Sequence, residues 1–444
     1  MVFKNREQLV NNGSTDKIRK KRSDVLEILE SVVESVNPYN AVISKCKEHK
    51  ILLDSEEIDS KDFNDIFVVG FGKASIGMIQ AAVDALQIKQ GIAVTNDSEG
   101  LIMGDQIEVI VGGHPLPNNG SVLGTEKILD LIHQCKSDDL LLVMISGGGS
   151  ALLCKPRVSL EDLQVTTNLL LKSGADISEI NTIRKHLSFV KGGQLTKQAN
   201  CKVISFIISD IIDDPIEFIA SGPTSPDSTT FKDAEEVLAK YDIWKKIPNE
   251  VKKVIKDGIN GKISETPKKD DSFCNKITNE IVANNKVACN AAVNKAELLG
   301  YNPLFLTSSL TGEAKDIGKY LIKKAKSYIN DENRIFITGG ESTVTIQGEG
   351  KGGRNQEMVL GAIEKLAETE MVFASFATDG CDGTSDAAGA IIDGDSYLKA
   401  KKKNLKYTDY LKDNNSYEFF KHLNDLFITG PTGTNVMDIQ IVVV

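Results

Sequence analysis

No CxxC pair, no histidine-rich stretch and no long apolar run occurs in these 444 residues. The seven cysteines, at 46, 135, 154, 201, 274, 289 and 381, are scattered and odd in number. That excludes a disulfide scaffold and predicts reduced thiols in a cytoplasmic or similarly reducing compartment. The longest apolar runs, LLLVMI and ISFII, fall far short of the roughly 18–20 residues that span a bilayer. The opening MVFKNREQLV lacks an apolar core, so no signal peptide is expected and no membrane partner. Positive charge is also short. Lys and Arg number 52 against 62 Asp and Glu, a net charge of −10, which argues against a general nucleic-acid binder while leaving room for a local basic pocket. Repeats of about 20–50 residues are absent as well. What remains is ordinary: 41% hydrophobic and 26% charged residues, as in a globular enzyme. At about 150 residues per domain, the length suggests two to three domains.

A helix is predicted from about Ser23 to Val36, where Val25, Leu29, Val32 and Val36 recur at helical spacing and Pro38 ends it. An alternation follows. Asp65–Gly70, Gly91–Thr95, Glu108–Val111, Leu140–Ile145 and Lys202–Ile208 read as short buried strands, each leading into a glycine-rich or polar loop and most into helical patterning. This predicts an α/β fold with a doubly wound, mostly parallel sheet in α/β/α layers, whose ligand lies beyond the carboxyl ends of the strands. The lysine-rich stretch from about Asp233 to Asn279 reads as a solvent-facing helical connection. Helical patterning resumes at Val287–Gly300, followed by the strand PLFLT. After Arg334 the strand-like segments RIFITGG, STVTIQG, VFASFATDG, AGAIID, LFITG and IQIVVV, with a helix near Asn355–Ala367, predict a second, smaller α/β domain with a mixed sheet. The expected divisions are 1–245, a helical connection and linker at 246–330, and 331–444.

Several loops carry residues suited to anion chemistry. Ser146, Gly147, Gly148, Gly149 and Ser150 (SGGGS) follow a buried strand and open a helix, so their N–H groups can point at one anion; a bare strand-to-helix turn is the alternative. It is not a Walker A loop, because GxxxxGK[ST] occurs nowhere. GFGKAS has the same placement, with Gly72 and Lys73; a lysine beside a positive helix end calls for a phosphate, a carboxylate ligand or a salt bridge. GGRNQE brings Arg354, whose planar fork matches carboxylate or phosphate. SDIIDDP and TDGCDGTSD place carboxylates after strands. Asp214 and Asp379 are the Mg²⁺ candidates, and a carboxylate there can instead act as general base, or simply form turns. Arg184 and Lys191, seven apart in NTIRKHLSFVKGG, would share a helix face and extend a positive pocket for phosphate or nucleotide; a solvated basic face is equally consistent. His186 and His114 read as structural. Cys381 reads as a small buried residue.

Glycine loops, separate cations and carboxylates are the set that phosphoryl transfer requires. The stretches VGFGKAS, GGHPLPNNGS, ISGGGSALL, NTIRKHLSFVKGGQL, DDPIEFIASGPTSPD, ITGGESTVTIQGEGKGGRNQE, ATDGCDGTSDAAGAIID and GPTGTNVMD, in that order from about residue 68 to the end, resemble the class II glycerate kinase (glycerate 2-kinase) family with its C-terminal MOFRL domain. The resemblance implies ATP-dependent phosphorylation of D-glycerate at its 2-hydroxyl to give 2-phosphoglycerate, with Mg²⁺, on a Rossmann-like large domain and a MOFRL domain. It maps the active-site pair onto Lys73 and Arg354, and the SDxxxDP aspartate, base or metal contact, onto Asp210. Asp213 stands where the family usually has glycine, a position an aspartate tolerates if φ is positive. Oligomeric state is not written in the sequence, and a homodimer is compatible with it. The rivals are a hydroxypyruvate reductase, whose dinucleotide fingerprint is missing, and a non-catalytic sugar-phosphate-binding module.

Overall fold

The computed structural model describes residues 2–328 and 333–444. Its contacts divide the chain into two units, Pro38–Val282 and a second built from Met1–Asn37 with Ala283–Val444. These divisions differ from the boundaries expected at 245 and 330; residues 329–332, at the end of the expected linker and the start of the next domain, lie outside the described residues. The N-terminal helix, Asp16–Ser35, starts earlier than expected because Thr15 caps it through its side chain. It belongs to the second unit through a buried charge cluster. Arg22 is wholly buried and contacts Asp393 at 2.7 Å and Asp425 at 2.9 Å. Sequence reading could not see this, since the partners lie some four hundred positions away.

In Pro38–Val282, six strands form one sheet: β1 (Ile66–Phe71), β2 (Ile88–Thr95), β3 (Ile107–Val111), β4 (Leu140–Ile145), β5 (Lys202–Ile208) and β6 (Ile277–Ala283). Their order is β3-β2-β1-β4-β5-β6. Neighbours from β3 through β5 run parallel. Every residue of β1 and β4 is buried, the reason LLLVMI and IFVVGF read as unbroken apolar runs: a parallel strand is covered on both faces. On one face Val69, Phe71, Val94, Val143 and Ile145 pack with Ile128 and Leu131 of the helix Asn119–Gln134. That helix starts where Asn118 and Ser121 form a reciprocal capping box.

The register sets the site. Phe71 pairs with Val94 and with Ile145, and Ile145 with Ile207, so the loops after β1, β2, β4 and β5 leave the sheet at the same level. Strand order reverses between β1 and β4, which is where an open α/β sheet leaves a crevice.

The stretch expected to be a solvent-facing connection is instead part of a helical layer. Helices Phe231–Lys240 and Asn249–Ile259 bury Phe231, Leu238, Val251 and Ile255 with Leu170, Ile180 and Ile183 of helices Leu160–Ser173 and Ile177–His186. The apolar stripe recurs at helical spacing between lysines, so the average polarity concealed it. Packing is tight enough that a Cβ on Gly258 would lie 2.2 Å from the Phe231 ring.

The second unit has the expected mixed sheet. Strands β7 (Asn302–Phe305), β8 (Arg334–Gly340), β9 (Val372–Ala377), β10 (Gly389–Asp393) and β11 (Asp438–Val443) lie in the order β7-β8-β11-β9-β10. Only β7 and β8 are parallel; the other pairs are antiparallel. STVTIQG and LFITG are not strands, and each is reduced to a single bridge. At the end of the first, the N–H groups of Gln347 and Gly348 are taken by the Asn414 side chain at 2.7 and 2.9 Å, in place of a neighbouring strand.

Candidate active site

Two loops at the carboxyl edge of the parallel sheet are bonded into one structure. The Lys73 N–H donates to the Gly147 carbonyl at 2.9 Å, and the Ala74 N–H to Ser146 Oγ at 3.0 Å. Gly72 makes this approach possible. Its φ is +132°, and a Cβ there would sit 2.2 Å from Ser146 Oγ. The loop after β5 joins them, because a Cβ on Gly147 would lie 2.2 Å from Asp210 Oδ2. At Gly148 the neighbours are His114 Cδ2 at 3.0 Å and Lys73 Cγ at 3.3 Å from the same construction. Lys73, Ser146, Gly147, Gly148, His114 and Asp210 therefore meet, although 137 positions separate Lys73 from Asp210 in the chain.

Lys73 is exposed at this junction, and no carboxylate among the described residues forms a salt bridge with it. His114 feels it: burial first, and then the Lys73 charge, hold the imidazole below its ordinary pKa. The sequence treated His114 as structural; its only signal was a place in the loop after the third strand. The helix opened by SGGGS is a single turn, Gly149–Leu152, so it supplies little dipole and the anion-binding capacity rests on loop N–H groups. Asp213 adopts φ +60° and Asp214 φ +54°, so the aspartate at the family's glycine position does take the left-handed conformation.

Arg184 and Lys191 do not share a helix face. The helix ends at His186 and the chain turns back. Tertiary packing nevertheless brings both to the wall of one cavity of about 230 Å³, with His114, Gly148 and Ser150. Lys191 is buried, and its Nζ donates to the Ser150 and Leu153 carbonyls at 2.7 and 2.9 Å. Burial pushes its ammonium down to about 8; Cys154 opposes the shift and Arg184 adds to it. Burial lowers the Arg184 guanidinium too. His186 is a packed histidine as expected, with Nδ1 2.7 Å from the Thr182 carbonyl and Nε2 3.3 Å from Glu265.

In the second unit, Arg354 begins the helix Arg354–Leu366. Its Nε donates to Asp438 Oδ2 at 2.6 Å, its Nη2 to Asp438 Oδ1 at 3.1 Å, and its Nη1 to Glu341. The two carboxylates raise its pKa against the opposing effect of burial. The N-terminus of that helix is also filled: buried Asp382 accepts from the Asn355 and Gln356 N–H groups at 3.0 and 2.8 Å. GGRNQE is thus a helix start already supplied with internal anions, not an open phosphate cradle. Asp438 and Asp382 escaped the sequence reading, although GPTGTNVMD and TDGCDGTSD contain them. Asp379 accepts the Cys381 N–H at 3.0 Å in a tight turn, and Cys381 is exposed, not buried. Among the described residues no group of three His, Cys, Asp or Glu side chains gathers to hold a metal, and the metal candidates Asp214 and Asp379 fall in different units.

Residues 24–256 match the model of a domain of unknown function, DUF4147, and residues 334–438 that of the MOFRL family. The chain is 42% identical to the glycerate 2-kinase of Pyrococcus horikoshii over 94% of its own length and 96% of the relative's. It is 38% identical to the D-glycerate 2-kinase of Thermotoga maritima with the same two coverages. Among solved structures, a Pyrococcus horikoshii protein matches at 41% identity with a TM-score of 0.86, covering 96% of this chain and 98% of that one. The glycerate kinase of Thermotoga maritima matches at 36% identity and TM-score 0.86, covering 96% and 99%. With both domain models in order and full-length relatives at this identity, the chain belongs to the glycerate 2-kinase family.

Proposed function

We propose that this protein is an ATP-dependent kinase that phosphorylates D-glycerate at the 2-hydroxyl, giving 2-phosphoglycerate and ADP. One observation carries the reading: Lys73, unpaired with any carboxylate among the described residues, stands beside the SGGGS loop and the Asp210 loop at the switch point of a parallel sheet. The loop N–H groups and Lys73 neutralise the equatorial oxygens of the migrating phosphoryl group. Asp210 takes the proton as the 2-hydroxyl oxygen attacks the γ-phosphorus and the bond to the ADP oxygen breaks. The family resemblance assigns a second cation of the reaction to Arg354, which Asp438 orients within its own unit.

Mg²⁺ neutralises phosphate charge when bound. Hard carboxylate oxygens suit it, and it asks for only one or two of them beside phosphate oxygens and water. Asp214, on the same loop as Asp210, is the residue we assign to it; Asp379 serves its own turn. None of the seven cysteines forms a disulfide, which suits a reducing, cytoplasmic setting for an enzyme acting on small molecules; no described helix is long and apolar enough to cross a membrane.

Incubation with ATP, Mg²⁺ and D-glycerate should release ADP, and a coupled enolase assay should consume the product directly, as 2-phosphoglycerate requires. NADH oxidation with hydroxypyruvate in the absence of ATP would overturn the assignment in favour of a reductase.

A further inference from the structure

The cavity walled by Arg184 and Lys191 lies beside the phosphoryl-transfer loops, and its chemistry is one-sided. Among the described residues no aspartate or glutamate lines it. Lys155, on the same wall, already pairs with Glu126. Arg184 is half-buried, and among the described residues no hydrogen bond or salt bridge engages its guanidinium. Lys191 uses two of its three N–H donors on the carbonyls of Ser150 and Leu153, leaving one. A desolvated cation pair without a counter-charge is costly unless a ligand supplies one. Ala151 and Leu187, both buried, and half-buried Leu163 supply an apolar part of the wall. At about 230 Å³ the space admits a three- or four-carbon acid with some water.

We propose that Arg184 and Lys191 form the carboxylate-binding subsite for the acceptor hydroxy acid, so that this pocket, and not a phosphate of the nucleotide, accounts for both cations. This rests on the kinase reading above and adds to it the residues that select an acidic acceptor. Gly148, Ser150 and His114 line the same pocket, and a Cβ on Gly148 would lie 3.3 Å from Lys73 Cγ, so an acid held by the pair has its remaining carbons next to the transfer loops. A planar guanidinium accepts a carboxylate through two parallel hydrogen bonds, while the ammonium fixes its position.

Calorimetric titration of the full-length protein tests this with D-glycerate, its neutral amide D-glyceramide, and ADP. The wild type should bind D-glycerate and bind D-glyceramide at least roughly tenfold more weakly, the loss of a charge-assisted contact. Arg184→Gln should weaken D-glycerate binding roughly tenfold to a hundredfold and leave ADP binding within about twofold. Equal binding of amide and acid in the wild type overturns the proposal, and needs no variant to fold. So does a variant that keeps D-glycerate but loses ADP, which would make the pocket a nucleotide site. If the wild type binds D-glycerate through Arg184 yet makes no ADP from ATP, the kinase reading fails and the subsite stands; normal turnover with an unchanged KM for D-glycerate in Arg184→Gln has the opposite meaning.

Discussion

Arg354 is locked to Asp438 by two parallel hydrogen bonds, at 2.6 and 3.1 Å, and Asp438 itself lies fully buried at the start of β11. The cation is therefore held in one orientation by an acid shielded from solvent. Burial pushes the Asp438 carboxyl up to about 6, with Arg354 pulling it down.

Removal of Arg354 should cost stability as well as activity. Because its folded pKa is raised, Asp438 keeps its proton in the folded state between 3.8 and about 6, where the unfolded chain has released it. Its contribution to stability therefore falls as pH rises through that window. Without Arg354 the buried carboxylate is uncompensated, so Arg354→Ala should lose about 3 kcal/mol near neutral pH and recover part of it at about pH 5. Thermal melts at the two pH values measure this, and the added change Asp438→Asn should restore much of the loss. A deficit independent of pH would contradict the pairing.

Lys73→Ala should separate catalysis from folding. The side chain is exposed and forms no salt bridge among the described residues, so the melting temperature should hold within a degree or two of wild type, a change of roughly 0.5 kcal/mol or less. Turnover should fall roughly 10²–10³-fold, the loss expected when a group contacting transition-state charge is removed. Near-normal kcat would displace Lys73 from the reaction.

Gly72→Ala tests the junction of the two loops. A methyl group would lie 2.2 Å from Ser146 Oγ at a φ of +132°. The variant should lose more than about 1 kcal/mol and most of its activity, because the Ser146 loop must move away. Ser146→Ala makes room but removes the acceptor for the Ala74 N–H. Its cost should be smaller, about 1 kcal/mol.

Acceptor affinity should weaken in mildly alkaline solution. Burial brings the Lys191 ammonium down to about 8, and the Arg184 charge adds to that shift. A bound carboxylate favours the protonated ammonium, so KM for D-glycerate should rise above about pH 8 and binding there should take up a proton. The fold responds in the opposite sense: a lysine lowered from 10.5 costs stability below about 8, and that cost is relieved as pH rises from 8 towards 10.5. In Arg184→Gln the inflection should move upward, because Arg184 is one of the groups lowering Lys191. KM measured across this range, in wild type and variant, checks both statements.

Much of the first unit was readable along the chain. Leu140–Ile145 and Lys202–Ile208 have the boundaries expected, because a parallel strand covered on both faces is apolar almost throughout. STVTIQG shows the reverse case. It alternates like a strand, yet the N–H groups of Gln347 and Gly348 find the Asn414 side chain and that of Thr345 finds Glu313, and no local pattern reports that. The helices after Phe231 were concealed by lysines on their outer faces. At the site, Lys73 and the SGGGS loop were legible because glycine clusters at strand ends are uncommon. Asp438 and His114 were not, since one aspartate or one histidine in a loop carries no signal until its neighbours are known.

The residues alone settled the sheet type, the loops that carry chemistry and the family resemblance, because hydrophobic periodicity and glycine placement are local properties. Tertiary structure decided which charges meet. It paired Arg354 with Asp438, placed Arg22 between Asp393 and Asp425, and brought Arg184 and Lys191 to one cavity although no helix carries both. Charge interactions depend on distance and dielectric, which packing sets and sequence spacing does not.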